Sequence, residues 1–195
     1  MATYFKGTTP LPSTPFVGGS SLKTTMLGGE SLQNGFTLGQ EVGGGIVYKI
    51  FGGGVSAMVF APEFWSAPGP ISTFAWETGF CSSGTNFPAS STDGQSNTFD
   101  LWNASIPPCN FQAGFEAYEQ LNVTGSTFRG ESRWYIPASE ELQEISDSGY
   151  YTMGNKVLSS TGASNPNRGV YLENGILAQT SGTEQDYRLI LVRRI

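Results

Sequence analysis

Trp134-Tyr135-Ile136-Pro137-Ala138-Ser139-Glu140-Glu141-Leu142 is the stretch on which the fold turns. Pro137 lacks a backbone N–H and suits the approach to a helix. Glu140 and Glu141 follow at what would be the positive N-terminal end of that helix. Leu142 and Ile145, three apart, then make an inward pair. The reading is a short helix from about Ser139 to Ser146.

Working outward, Val157-Leu158-Ser159-Ser160 reads as a short strand. Gly169-Val170-Tyr171-Leu172 and Ile176-Leu177-Ala178 flank Glu173-Asn174-Gly175, whose Asn-Gly step is a strong hairpin signal. A strand from Tyr187 to Ile195 closes the chain. Upstream, Phe111 to Leu121 predicts a second helix, with Ala113 or Gly114, Ala117, Tyr118 and Leu121 on one side and Glu116, Glu119 and Gln120 elsewhere. Ile46–Phe51 and Val55–Phe60 around Gly52-Gly53-Gly54 read as a β-hairpin. Residues 61 to 110 between them read as a long loop region holding isolated rings such as Phe64, Trp65, Phe74, Trp76, Phe99 and Trp102. There is no internal repeat and no heptad pattern, so association through a coiled coil is not supported.

Residues 1–38 differ from the rest. They are rich in Gly, Ser, Thr and Pro, and only Lys6, Lys23 and Glu30 carry charge. Phe5, Leu11, Phe16, Leu22, Met26, Leu27 and Leu32 are scattered without a helical or alternating period. Such a segment cannot bury enough surface by itself to offset chain entropy. It either wraps its own domain or docks on another subunit. The scattered large residues favour the second, as pegs for another protein's grooves. The expected organisation is an extended N-terminal anchoring arm, 1–38, and a domain, 39–195.

Composition bounds the function. Charged residues make up only 13 %, about half the usual share, while 26 glycines are roughly double the average. That profile suits a loop-rich β or α+β protein in which 13 Phe, 8 Tyr and 4 Trp supply the core. A net charge of −6 argues against a nucleic-acid partner, which needs clustered Lys and Arg. Arg188, Arg193 and Arg194 are the one dense basic group, and read as the polar face of a strand. No apolar run approaches the roughly 20 residues of a membrane helix, so no membrane insertion is expected. Met1 to Gly7 lacks the apolar core of a secretory signal, which implies synthesis in a cytosol. Cys81 and Cys109 are too few for a disulfide scaffold; a reduced pair is preferred over a bridge.

Three stretches now line up in order with a known family. Trp134 to Leu142 resembles its W-Y-L-P-[SA]-x-x-E-L motif, Leu158-Ser159-Ser160-Thr161 its W-S-S-T strand, and Tyr187 to Ile195 its terminal Y-R-V-R-x-V-R-x-F strand. Gly43-Gly44-Gly45-Ile46-Val47-Tyr48 resembles its G-G-x-V-F opening. The chain thus resembles the collagen-like adhesin C-terminal domain family, bacterial relatives of the C-type lectin fold, over roughly residues 39 to 195. The resemblance implies an α+β, C-type-lectin-like fold with two helices, small antiparallel sheets, paired N- and C-terminal strands and long loops. It also implies a place on bacterial adhesins or bacteriophage virion proteins. There are departures. Ile190 stands where the terminal strand motif has an Arg, and Leu158 where the family has an aromatic before Ser-Ser. Ala138 stands where Ser would cap the helix, a change costing about 1 kcal/mol unless Ser139 takes the role. The calcium and sugar motifs of animal lectins, Glu-Pro-Asn and Trp-Asn-Asp, are absent, so calcium-dependent sugar binding is not implied.

The chain contains no histidine, which removes the commonest general base, the commonest transition-metal ligand and every Ser-His triad. Glu140 and Glu141 read as helix N-terminal charge, Ser159 lacks a nucleophile-elbow context, and the glycine triplets lack the Lys-Ser/Thr step of a phosphate loop. No enzyme activity, cofactor or zinc is expected. Calcium on loop carboxylates such as Asp93 and Asp100 is the one metal left open.

Two surfaces compete for binding. One is the loop region with Trp65, Trp76, Trp102 and Phe99, whose rings suit sugars if exposed and form the core if not. The other is Thr161 to Arg168 together with Gln179 to Gln185, which offers Asn165, Asn167, Arg168 and Gln185 or is a plain solvated loop. The expectation is a bacteriophage virion accessory protein, assembled in the host cytoplasm. It is either a capsid decoration, which the absence of a fibrous shaft favours, or a tail-associated adhesin. Its expected partners are other virion proteins, copies of itself (a trimer suits either location), and a cell-surface glycan or receptor. The alternative is a bacterial surface adhesin or carbohydrate-binding module.

Overall fold

The computed structural model describes residues 35–67, 73–76, 88, 90–105, 111–151, 154–163, 168–180 and 186–195. Phe5, Leu11, Phe16, Leu22, Met26, Leu27, Leu32, Cys81, Cys109, Asn165, Asn167 and Gln185 lie outside them. The architecture is α+β. Strands β1 (Glu41–Val42), β2 (Gly45–Phe51) and β3 (Ser56–Phe60) come first. Helices α1 (Gly94–Ala104), α2 (Gln112–Tyr118) and α3 (Ser139–Asp147) follow, then β4 (Val157–Gly162), β5 (Gly169–Glu173), β6 (Ile176–Gln179) and β7 (Val192–Arg194). The strands form two antiparallel sheets, ordered β1-β2-β3-β7 and β4-β5-β6.

Both expected hairpins form. β2 and β3 pair around Gly52–Gly54, with Tyr48 as the extra residue of a bulge between Val47 and Lys49. β5 and β6 pair around Asn174-Gly175, both at positive φ. The resemblance implied paired N- and C-terminal strands, and β7 lies antiparallel against β3, the second arm of the opening hairpin. The closing run is also less regular than a nine-residue strand: Tyr187, Arg188 and Leu189 make single bridges to Phe74, Val157 and Trp65.

Alternation along these extended segments divides the core in two, because successive side chains of a strand point to opposite faces. Ala57 and Val59, Trp134 and Ile136, and Tyr187, Leu189 and Leu191 enter one cluster, with Leu101 of α1 and Ala113 and Ala117 of α2. Met58 and Phe60, Tyr135, and Ile190 and Val192 enter the other, with Leu142 and Ile145 of α3. The extended backbone therefore forms a middle layer with helices against both faces. Ile190 and Leu158, the two departures noted above, are both fully buried apolar residues in these clusters.

Two helices were expected; the described residues contain three. The additional one is α1, inside the stretch read as loop. Asp93 caps it, accepting from Ser96 N at 2.9 Å. α1 and α2 cross closely at Gly114, where a Cβ would stand 2.4 Å from Leu101 Cβ. After Tyr118 the chain continues as a π-helical turn, Glu119–Val123.

The α3 N-terminus is capped by segments distant in sequence. Ala138 occupies the cap position in extended conformation, and its methyl group accepts nothing. Ser139 does not take the capping role; its N–H donates to Thr161 Oγ1 at 2.9 Å, and Glu140 N donates to Ser91 O at 2.8 Å. Glu141 turns back so that Oε2 accepts from Ala138 N at 2.8 Å and from Gly94 N, the first residue of α1, at 3.1 Å. One buried carboxylate thus serves the N-termini of two helices. Burial pushes its pKa up from the ordinary carboxylate value, and these backbone donors, with Tyr135 Oη at 3.3 Å, pull it partly back.

Candidate functional site on the α1–α2 face

The inward face of α1 is polar. Asn97 Nδ2 donates to Ser90 O at 2.7 Å, and Thr98 Oγ1 accepts from Ile136 N at 3.0 Å while donating to Gly94 O at 2.7 Å. With those residues and Leu101 turned inward, Gln95, Phe99 and Trp102 fall at i, i+4 and i+7 on the outer face. Tyr118 of α2 meets them there. Its ring centroid lies 5.4 Å from Phe99 and 5.0 Å from Trp102, and Phe99 and Trp102 are 5.8 Å apart. Phe99 is 42 % exposed, and Trp102 Nε1 donates to Glu119 Oε2 at 2.8 Å, which fixes the indole. The result is a fixed, half-exposed aromatic cluster.

Tyr118 also borders a cleft of about 570 Å³. Gln95 and Leu121 line it on the helical side, and Asn122, Gly125, Thr127, Ser132 and Arg133 complete it. Its size lies within the roughly 300–1,000 Å³ of small-ligand sites. Arg133 sits in the left-handed region at φ 62, a conformation that costs a non-glycine residue about 1–2 kcal/mol. Its neighbour holds it there: Trp134 is fully buried, and its Nε1 donates to Phe128 O at 2.9 Å and Glu131 O at 3.1 Å. Asn122 Nδ2 donates to Trp134 O at 3.2 Å and ties the π-helical turn to the same anchor.

The candidate residues read from the sequence divide. Trp102 is at this surface. Trp65 and Trp76 are not ligand platforms: they are 4 % and 1 % exposed. Trp65 stacks on Phe74 at 5.5 Å, and Trp76 meets Phe111 edge-on at 5.8 Å. In a segment poor in aliphatic residues these rings are the core, so their faces are already covered. Tyr118, expected on the inward side of its helix, is half-buried and joins the outer cluster. Arg168 is exposed beside β5, and antiparallel pairing makes the segments after β4 and β6 leave the same end of the second sheet. Their remaining candidates fall outside the described residues. Gln95, Asn122, Thr127, Ser132 and Arg133 were not foreseen; only the i, i+4, i+7 spacing of Gln95, Phe99 and Trp102 could have pointed to this face.

The other chemistry-bearing groups are structural. Asp93 is the α1 cap, and Ser159 is buried with Oγ donating to Val170 O at 2.8 Å. Arg188, Arg193 and Arg194 lie over the rings of Phe64, Trp134 and Phe51. No helix among the described residues is long and apolar enough to cross a membrane. No protein-family model matches the chain, and no curated protein matches it in sequence.

Proposed function

We propose that this chain is a non-catalytic recognition protein of a bacteriophage particle: residues 1–38 dock it on capsid or tail subunits, and its C-type-lectin-like domain binds a saccharide on the host cell surface. The observation that carries the binding half is the Phe99–Trp102–Tyr118 cluster beside a polar cleft. Flat ring faces pack against the C–H faces of sugars, and neighbouring amides and hydroxyls serve their hydroxyl groups. The lectin-like half is supported by the opening hairpin joined through β3 to the closing strand, and by Tyr135 hydrogen-bonded to Val192, which links two of the stretches that suggested the family. The docking half rests on the composition of the arm. Assembly inside the host cell, beside other virion proteins and copies of itself, accords with it.

Binding of the purified chain to a glycan array and to host cells tests the recognition half. Trp102→Ala should weaken binding about tenfold or more, as loss of an aromatic anchor does. It should leave the unfolding midpoint close to the parent's. Equal binding by Trp102→Ala, or no glycan bound at all, would refute it. For the docking half, a chain lacking residues 1–38 should fold yet fail to co-sediment with particles.

A further inference from the structure

We infer that the saccharide taken by the α1–α2 face carries an anionic substituent (carboxylate, sulfate or phosphate) and that Arg133 holds it; this rests on the saccharide reading above. Among the described residues that line the cleft, Arg133 is the charged one. Arg129, four residues away, is already paired with Glu63 at 3.0 Å, and Arg193, which reaches across from β7, with Glu131 at 2.5 Å. Among the described residues Arg133 pairs with no carboxylate, in a chain where 16 acidic residues outnumber 10 basic ones. An exposed guanidinium without a described carboxylate partner can take an external anion through two parallel N–H donors.

The backbone points the same way. Glycine or asparagine adopts the left-handed conformation at position 133 more cheaply than arginine. Folding alone therefore gives no reason for a guanidinium there. The strain is held by the Trp134 anchor, which fixes the backbone of Arg133 beside the cleft that its side chain lines. Around it, Gln95, Asn122, Thr127 and Ser132 supply amides and hydroxyls, and Tyr118 connects the cleft to the ring cluster. A pyranose stacked on the rings would set its hydroxyls among these groups and its anionic substituent on Arg133. The negative net charge opposes anions at long range. Recognition is then a short-range contact that salt screens only in part.

The full chain is tested by biolayer interferometry against polygalacturonate, chondroitin sulfate and glycerol-phosphate teichoic acid, with galactan and dextran as neutral counterparts. The acidic polymer that binds identifies which anion is read. Binding to at least one should exceed the neutral counterparts about tenfold or more. Arg133→Gly should erase that preference and Arg133→Lys should keep part of it. Because Arg133→Gly relieves the backbone, its unfolding midpoint should equal or exceed the parent's, so loss of binding is not loss of fold. Lys49→Gln, which removes a charge paired with Glu144 elsewhere, should change nothing. Neutral and acidic polymers bound equally, with Trp102→Ala abolishing both, would overturn the anionic inference and leave the saccharide reading standing. An acidic preference untouched by Arg133→Gly, or lowered equally by Lys49→Gln, would overturn it too. Binding of no polymer would overturn both readings.

Discussion

Replacing Glu141 by alanine removes one carboxylate and strands two backbone donors, Ala138 N and Gly94 N, at the buried N-termini of α3 and α1. A buried donor left without an acceptor costs about 1–3 kcal/mol, so the pair amounts to roughly 2–6 kcal/mol. Against this stands the relief of a desolvated charge, which brings the expected net loss to about 3 kcal/mol. Glu141→Gln keeps an acceptor oxygen for both donors and removes the charge. It should lie within about 1 kcal/mol of the parent near neutral pH. The two variants also separate by pH. Burial raises the folded-state pKa of Glu141 above its unfolded value, so the folded protein binds the proton more tightly. The stability from this group is therefore fully present below the ordinary carboxylate pKa and is lost as pH rises through the raised value. Glutamine imitates the protonated form at every pH. Urea unfolding from about pH 4 to 8 should show the parent losing stability relative to Glu141→Gln as pH rises. An alanine variant within about 0.5 kcal/mol of the parent, or parallel pH profiles for parent and glutamine variant, would refute the double-cap reasoning.

Tyr48 is 6 % exposed, and its hydroxyl is buried without a hydrogen-bond partner. Tyr48→Phe should raise the free energy of unfolding by about 1 kcal/mol in urea titrations, and a loss would count against that geometry. Gly114→Ala should lower it by about 1–3 kcal/mol despite the better helix propensity of alanine, because the new methyl meets Leu101 Cβ at 2.4 Å. Leu101→Ala in the same chain should recover part of that loss in a double-mutant cycle.

The two hairpins and α3 were legible because their signals are local. Asn174-Gly175 marks a hairpin whatever surrounds it, and Pro137 followed by two glutamates marks a helix start. α1 was not legible, for a physical reason. Gly94, Ser96, Asn97, Thr98, Asp100 and Asn103 are poor helix formers, and the buried face contains Asn97 and Thr98. The usual inward-apolar pattern is inverted: tertiary hydrogen bonds to Ser90 and Ile136 satisfy the inward polar groups, while Phe99 and Trp102 face outward. Asp93 was the one local sign of a cap. Trp65 and Trp76 have the same Gly-, Ser- and Pro-rich surroundings as an exposed ring would, so their burial is decided by packing partners far along the chain. Nor does anything local announce the left-handed backbone at Arg133; it follows from the buried indole beside it.

The same long-range contacts that hid α1 also build its outer surface. A helix of such low intrinsic propensity keeps its place through its ends and its inward polar face. Its first N–H is held by Glu141, and Gly94 leaves no room for a side chain there: a Cβ would come within 2.5 Å of Ala138 N, Ile136 O and Glu141 Oε2. Gln95, the next residue, already lines the cleft. Ile136, whose N–H is bonded to Thr98, lies two residues beyond the Trp134 anchor that fixes Arg133. The segment from Arg133 to Glu141 therefore sets the backbone position of Arg133 and, through Ile136 and Glu141, that of the helix carrying the rings. Ring platform and guanidinium lie on different elements of the chain, yet one nine-residue stretch aligns them. Under the saccharide reading proposed above, a backbone aligned in this way lowers the ordering that a ligand must impose.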